Sequence, residues 1–434
     1  NKVGGNRAAP GQTEVFMTEG RYICIDLKSF YASVECVERG LDPMTAMLAV
    51  ADPDRGEKTI CLAVTPAMKK LGIRSRCRLY DIPDGIRYIK ARPRMQLYMQ
   101  YSSDIYGIYL KYFSKDDIHV YSIDEVFIDA GRYRNVYGPD TRALAAGIMA
   151  DIRKSTGIPS ACGIGTNLYL AKIALDIMAK HSKDGIGFLD EEIYRCELWD
   201  HKPITDFWRV GRGSAARLER YGIYTMGQIA AADEALIYRI FGIDGELLID
   251  HAWGRETATI EDIKGYSPKA CCVSSGQVLP KAYGHGETEQ IVKEMTDQLC
   301  LELVERRLVT DSIALYIGYC GISGQHAGGS ASLPFCTCSG RIIKEYMDRL
   351  YRRIACRHLG ARKINITFNG AVPDIYEGFD LLNTAGDIER DKREAQAILA
   401  IKQRYGKNAI LRAYNLEKYS TAAERNEQIG GHRA

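Results

Sequence analysis

YSIDEVFID, residues 121–129, decides how this chain is built. Apart from its acids it is rich in Val, Ile, Phe and Tyr, and that alternation reads as a strand in a sheet. Two carboxylates, Asp124 and Glu125, adjoin in its middle. Successive strand side chains point to opposite faces, so the two cannot both face water beside a packed core. With the preceding DIHV the stretch forms a hairpin, strands His119–Ser122 and Glu125–Asp129, with Asp124 near the tight bend.

A third acid stands upstream. RYICIDLKSF opens as a first strand, Tyr22–Leu27, with Asp26 near its end. Two carboxylates on a hairpin and one on a neighbouring strand can converge at one sheet edge. Hard cations such as Mg²⁺ take oxygen ligands, and two ions about 4 Å apart stabilise the entering and leaving oxygens of phosphoryl transfer. Without metal, three such acids would repel and some would hold a proton. Taken singly, Asp26 and Asp124 read as strand-end residues binding local amides; the accompanying residues favour the metal site.

SFYASVE, a few residues after Asp26, begins a short helix closed by Gly40, with Phe30 and Tyr31 at its start. An aromatic beneath a nucleotide sugar blocks a 2′-hydroxyl by overlap, although one of the two rings is expected in the core. MLAVADPDRGEKTICLAVTP reads as strand, turn, strand, and Pro66 opens a helix where proline is tolerated. That helix and its sequel bring Lys69, Lys70, Arg74, Arg76 and Arg78 together, with Lys69 near a helix N-terminus that favours phosphate. Tyr98–Phe113 reads as a long tyrosine-rich helix. Leu144, Ile148 and Ile152 behind Asp140 mark an amphipathic helix. SACGIGTN is a strand and turn, and NLYLAKIALDIMAK a helix with Lys172 as a lone base on an apolar face. Such a lysine snorkels to water or reaches a phosphate.

Gly185–Gly187 mark a break. VGRGSAARL resembles a helix–hairpin–helix, whose Gly211–Arg212–Gly213 turn offers backbone amides to a DNA phosphate without reading sequence. From about Gly265 two helical stretches, Glu287–Arg307 and Gly340–His358, each precede a strand-like run, the pattern of an α+β module. Its densest basic patch includes Arg352, Arg353 and Arg357 and suits a duplex backbone. After Val372 the chain is loop-rich, with one charged helix at Asp387–Tyr405.

The 434 residues suggest two to four domains. A net charge of +3 neither demands nor excludes a nucleic-acid partner, because a near-neutral total can hide a basic stripe. No apolar run reaches 18 residues, so no membrane span is expected, and the N-terminus carries no signal-peptide core. Thirteen scattered cysteines without zinc spacing read as reduced thiols of a cytoplasmic protein.

Together IDLKSFYASVE, SIDEVFID, GIGTNLYLAKIALD and the helix–hairpin–helix occur in the order and spacing of Y-family translesion DNA polymerases. The resemblance is nearest to the bacterial UmuC-like branch (DNA polymerase V catalytic subunit-like), spans roughly residues 20–370, and extends to the tail RYGKNAILRA…ERNEQIGG. It implies a multidomain α+β right hand. The corresponding segments are an arm over 1–19, palm over 20–30 and 91–183, fingers over 31–90 and a helical thumb over 184–256. A linker over 257–268, a little finger over 269–370 and a tail over 371–434 follow. The implied activity is low-fidelity, template-dependent DNA synthesis without proofreading, in the DNA-damage (SOS) response. Asp26, Asp124 and Glu125 match the metal-binding acids for two Mg²⁺, and Leu27 the position whose carbonyl joins them. Tyr31 matches the gate against ribonucleotides; Phe30, Thr65, Lys69 and Lys172 fall at the nucleotide. Primer–template DNA and dNTP are the implied substrates, for a monomer that accessory subunits could assist.

Some positions depart from the family pattern. Pro66 replaces a common triphosphate-binding tyrosine, and Leu62 and Arg76 fall near the roof over the templating base. GFDLL, with Phe379, Leu381 and Leu382, is a degenerate counterpart of the family's sliding-clamp peptide. Two alternatives compete with the polymerase. A DNA- or clamp-binding accessory protein on the same scaffold would gain nothing from buried unpaired carboxylates. A nucleotidyl cyclase would need neither thumb nor basic third module.

Overall fold

A computed structural model of the chain describes residues 21–180, 182–268, 271–321 and 324–433. The arm expected over 1–19 lies outside them. The described residues form two compact units, one within 21–93 and 97–266, the other within 94–96 and 267–433.

Strands are numbered in chain order: β1 (Tyr22–Leu27), β2 (Leu48–Val50), β3 (Ala63–Val64), β4 (Ile89–Ala91), β5 (Ile118–Val120), β6 (Glu125–Asp129), β7 (Ser160–Gly165), β8 (Ile186–Leu189), β9 (Cys271–Tyr283), β10 (Leu308–Tyr319), β11 (His326–Thr337) and β12 (Ala361–Pro373). The first unit is organised by a five-stranded sheet of order β5-β6-β1-β7-β8. All its pairs are antiparallel except β7–β8. The central strand β1 is apolar enough to be covered on both faces, and Ile23, Cys24 and Ile25 are fully buried. β8 lies where the glycines of 185–187 suggested a break; Gly185 makes the positive-φ turn (φ 74°) and β8 then extends the sheet.

The helix after β7 packs on this sheet at unusually short range, and glycine is the reason. A Cβ on Gly163 would stand 2.0 Å from the Ala171 carbonyl oxygen, and one on Gly165 2.2 Å from the Ala171 nitrogen. The helix runs Leu168–Ile173, capped by Asn167 accepting from the Leu170 amide, and continues as a π-helical segment, Ala174–Met178. The helix of Thr141–Thr156 covers the sheet with Thr141, Ala145, Ile148 and Ile152. Ala145 takes the place expected of Leu144, which is only half-buried. The tyrosine-rich helix spans Met95–Tyr109 rather than Tyr98–Phe113, since the chain breaks into a turn at Leu110.

A small sheet, β3-β2-β4, carries the short helix Pro66–Lys70. Beyond β8 the first unit is helical. The Gly-x-Gly expected as a turn between helices instead starts one: Gly211 precedes the helix Arg212–Glu219, and Gly213 lies within its first turn.

The second unit is a four-stranded antiparallel sheet, β11-β10-β12-β9, with the helices His285–Arg306 and Gly340–Ile354 on one face. Its core joins Ile291, Leu299, Ile313, Ile343, Met347 and Phe368. The tail helix Ala385–Tyr405, capped by Thr384, adds Ala395 and Leu399 to that core. Among the described residues no helix is long and apolar enough to cross a membrane.

Candidate active site

Register between β1 and β6 brings the first acids together. Asp26 stands directly opposite Glu125, so their side chains leave the sheet on one face. The Leu27 amide donates to the Asp124 carbonyl (2.9 Å), which fixes the bend beside the end of β1. Ser122 donates its hydroxyl to Asp124 Oδ1 (2.7 Å) and restrains that carboxylate. Asp26 has a pKa raised to about 7, first by burial and then by the like charges of Asp124 and Glu125. Such mutual repulsion among half-buried and buried carboxylates is what a cation would relieve.

Glu125 is already engaged. Lys172 Nζ stands 2.9 Å from its Oε1 and 3.0 Å from its Oε2, and the Cys24 thiol lies 3.3 Å from Oε1. Lys172 also reaches Asp176 Oδ1 (3.0 Å), one helical turn onward. Burial alone would lower the Lys172 pKa, but Asp176, Cys24 and Glu125 outweigh it and hold the ammonium charged. With Glu125 drawn toward this lysine, no three His, Cys, Asp or Glu side chains among the described residues stand close enough to hold a metal as they are. The donor chemistry nonetheless suits a hard divalent ion: carboxylates, a nearby carbonyl at Leu27, and a charge imbalance at Asp26.

Around these acids the nucleotide candidates divide. Phe30 is core, whereas Tyr31 is half-buried and stacks on Tyr98 with ring centroids 4.7 Å apart. The Tyr98 hydroxyl donates to buried Glu35 (2.8 Å), so the support beneath Tyr31 is itself anchored. Thr65 is fully buried and accepts from the Leu48 amide (3.3 Å), a bond that ties β3 to β2. Lys69 reaches solvent, yet protein around its ammonium group lowers its pKa against the pull of Asp26 and Asp124. Lys69 and the acids therefore share one electrostatic environment. Pro66 heads the Lys69 helix as expected.

Gly211, Arg212 and Gly213 are exposed at their helix start. In the second unit Arg352 lies 3.7 Å from Glu289, and Arg353 donates to the Ser330 carbonyl (2.7 Å). Arg357 is exposed beyond the helix end. These arginines belong to the helical side of the sheet. Its other face presents Ser274, Val278, Tyr316, Lys363 and Asn365, with Lys363 over the Tyr316 ring. Phe379, Leu381 and Leu382 are 66%, 99% and 89% exposed, so the loop shows three apolar side chains to solvent. Asp380 accepts from the Leu382 and Asn383 amides and shapes that loop.

Three members of the cluster escaped sequence reasoning: Cys24, Ser122 and Asp176. Asp176 had a signal, since it lies four residues after Lys172 on one helix. Cys24 had one too, since it shares a strand face with Asp26.

Comparisons with known proteins cover both units. The impB/mucB/samB family matches residues 25–176, a span holding Asp26, Asp124, Glu125, Lys172 and Asp176, and the C-terminal domain of that family matches residues 272–381. Over 422 residues the chain is 31% identical to UvrX of Bacillus subtilis (strain 168), named for UV-damage repair, covering 95% of this chain and 97% of that protein. It is 29% identical to DNA polymerase IV 2 of the same organism, covering 96% and 99%. It is 27% identical to DNA polymerase IV of Moorella thermoacetica, covering 90% and 95%. Among solved structures, a Y-family DNA polymerase chimera, Dbh-Dpo4(243-245)-Dbh, superposes with a TM-score of 0.64 at 19% identity, covering 81% of this chain and 99% of the chimera.

Proposed function

We propose a function from one premise: the chain belongs to the impB/mucB/samB family and has the fold of a Y-family DNA polymerase. It is a DNA-directed DNA polymerase of translesion synthesis that joins a dNTP to a primer 3′-hydroxyl on damaged template. The observation that carries this is the pairing of Asp26 with Glu125 across β1 and β6, with the charge of Asp124 bearing on Asp26.

Asp26, Asp124, Glu125 and the Leu27 carbonyl would hold two Mg²⁺. When bound, such a pair lowers the pKa of the primer hydroxyl and stabilises charge on the triphosphate. The chain's own groups do the rest by position and charge, as phosphoryl transfer requires. Lys172 offsets part of the charge of Glu125 and Asp176 before substrate arrives, which keeps the buried Glu125 tolerable. A triphosphate offers that ammonium a stronger anion, and Lys69 meets the same phosphates from the fingers side. Tyr31, backed by Tyr98, sits where a ribose 2′-hydroxyl would collide.

Synthesis of low fidelity without proofreading is what the resemblance to translesion polymerases implies. Arg212 with the amides at Gly211 and Gly213, and Arg352, Arg353 and Arg357, provide charge for the duplex backbone. The exposed Phe379, Leu381 and Leu382 suit a sliding clamp, and the enzyme acts in the cytoplasm. Primer extension by Asp124→Ala tests the assignment: extension should vanish while duplex affinity stays within about twofold of the parent. Surviving extension would reject the site.

A further inference from the structure

The fingers hold a thiol pair that the proposed reaction does not use. Ile60 and Arg78 form an antiparallel bridge, and beyond it Cys61 faces a bulge made of Cys77 and Arg76. The Cys61 amide donates to the Cys77 carbonyl (2.8 Å), and the Arg76 amide returns a bond to the Cys61 carbonyl (2.9 Å). The two thiols are near enough for the Cys77 sulfur to disfavour charge on Cys61. Facing residues of antiparallel strands have Cα atoms roughly 4.5–5.5 Å apart, within the separation a disulfide spans, and the hydrogen bond from the Cys61 amide to the Cys77 carbonyl keeps the two backbones at strand distance.

We propose that Cys61 and Cys77 are a dithiol–disulfide modification site, closed by a small-molecule disulfide such as oxidised glutathione. Access sets the order of events. Cys61 is fully buried among Val64, Met68, Ile73 and Leu79, while Cys77 is partly exposed. The Cys77 thiolate, after losing its proton to solvent, attacks one sulfur of oxidised glutathione and expels glutathione thiolate. Cys61 then loses its proton and attacks the Cys77 sulfur of the mixed disulfide, expelling the second glutathione. Two protein thiols are oxidised to one disulfide, and one oxidised glutathione is reduced to two glutathione thiols. Burial and the neighbouring Cys77 push the Cys61 thiol up to about 12, which suits a resolving role rather than first attack.

The bond would staple a strained turn to the strand ahead of the nucleotide candidates. Arg76, next to Cys77, has φ of 67°, in the left-handed region a side chain rarely adopts. Cys61 lies two residues before β3, which leads into Thr65 and Lys69. Only this link to the nucleotide rests on the proposed function; bond formation does not.

Mass spectrometry of the full chain tests it. After incubation with oxidised glutathione and alkylation of remaining thiols, Cys61 and Cys77 peptides should be joined, two hydrogens lighter, and unalkylated. Exposed Cys196 and Cys272 should carry glutathione, showing that oxidant reached the protein. Cys61→Ser should leave glutathione on Cys77. Separate alkylation of Cys61 and Cys77 in the parent, or glutathione persisting on its Cys77, would overturn the site. Steady-state kinetics test the link: oxidation should raise the nucleotide KM severalfold, dithiothreitol should reverse this, and Cys61→Ser should not respond. A closed bond with an unchanged KM would overturn the link to the nucleotide segment.

Discussion

Tyr31 shows how one side chain draws function from its neighbours. Its ring leans on Tyr98, which Glu35 holds by a hydrogen bond, so it cannot swing aside cheaply. Tyr31→Ala should raise ribonucleotide incorporation by roughly tenfold or more relative to deoxyribonucleotide, read as a ratio of kcat/KM values. Glu294 is a second residue whose surroundings make a prediction. It is nearly fully buried, accepts from the Thr421 amide (3.1 Å), and burial raises its pKa despite bonds from Ser420 and Thr421 and the charge of Arg425. The native carboxyl therefore holds its proton to higher pH than the unfolded one does, and stability falls as pH climbs through the ordinary carboxylate range and above it. Glu294→Gln keeps the accepting oxygen and cannot ionise. Its melting temperature should exceed the parent's at pH 8 and equal it near pH 4.

Elements show what sequence could and could not convey. β1 and β6 were legible because their β formers are buried on both faces and only the acids interrupt them. β9 and β11 were not: CCVSSGQVLPKAY and HAGGSASLPFCT carry glycine, serine and proline and show no strong strand pattern. Both are edge strands, where proline is tolerated and one face needs little apolar cover. The helix of Lys172 was legible as a helix, but its closeness to the sheet was not. That closeness depends on Gly163 and sets how far Lys172 extends to Glu125. Gly163→Ala would drive a Cβ to 2.3 Å from the Leu175 nitrogen as well as into the Ala171 carbonyl. It should cost about 3 kcal/mol or more, seen as a lower denaturation midpoint, with primer extension reduced in whatever folds. A second tie holds the hairpin itself: Trp208 Nε1 donates to the Tyr121 hydroxyl (3.1 Å), one residue before Ser122.

For the whole molecule, the acids were legible by residue type and strand position, while their partners were not. Asp26 lies about a hundred residues before the adjacent Asp124 and Glu125 in sequence, and only the strand pattern brings it to them. Lys172 arrives from a third element and binds Glu125 in a way no spacing reveals, so the acids are partly neutralised by the chain itself. The central claim is that these carboxylates exchange that internal cation for divalent ions when DNA and nucleotide bind. Electron paramagnetic resonance of Mn²⁺ titrated into the full chain, with primer–template lacking a 3′-hydroxyl and the matching dNTP, measures this directly. Two ions should bind per ternary complex, and Asp26→Asn and Asp124→Asn should each lose ion uptake. No uptake beyond that of free nucleotide, or uptake unaffected by both substitutions, would contradict it.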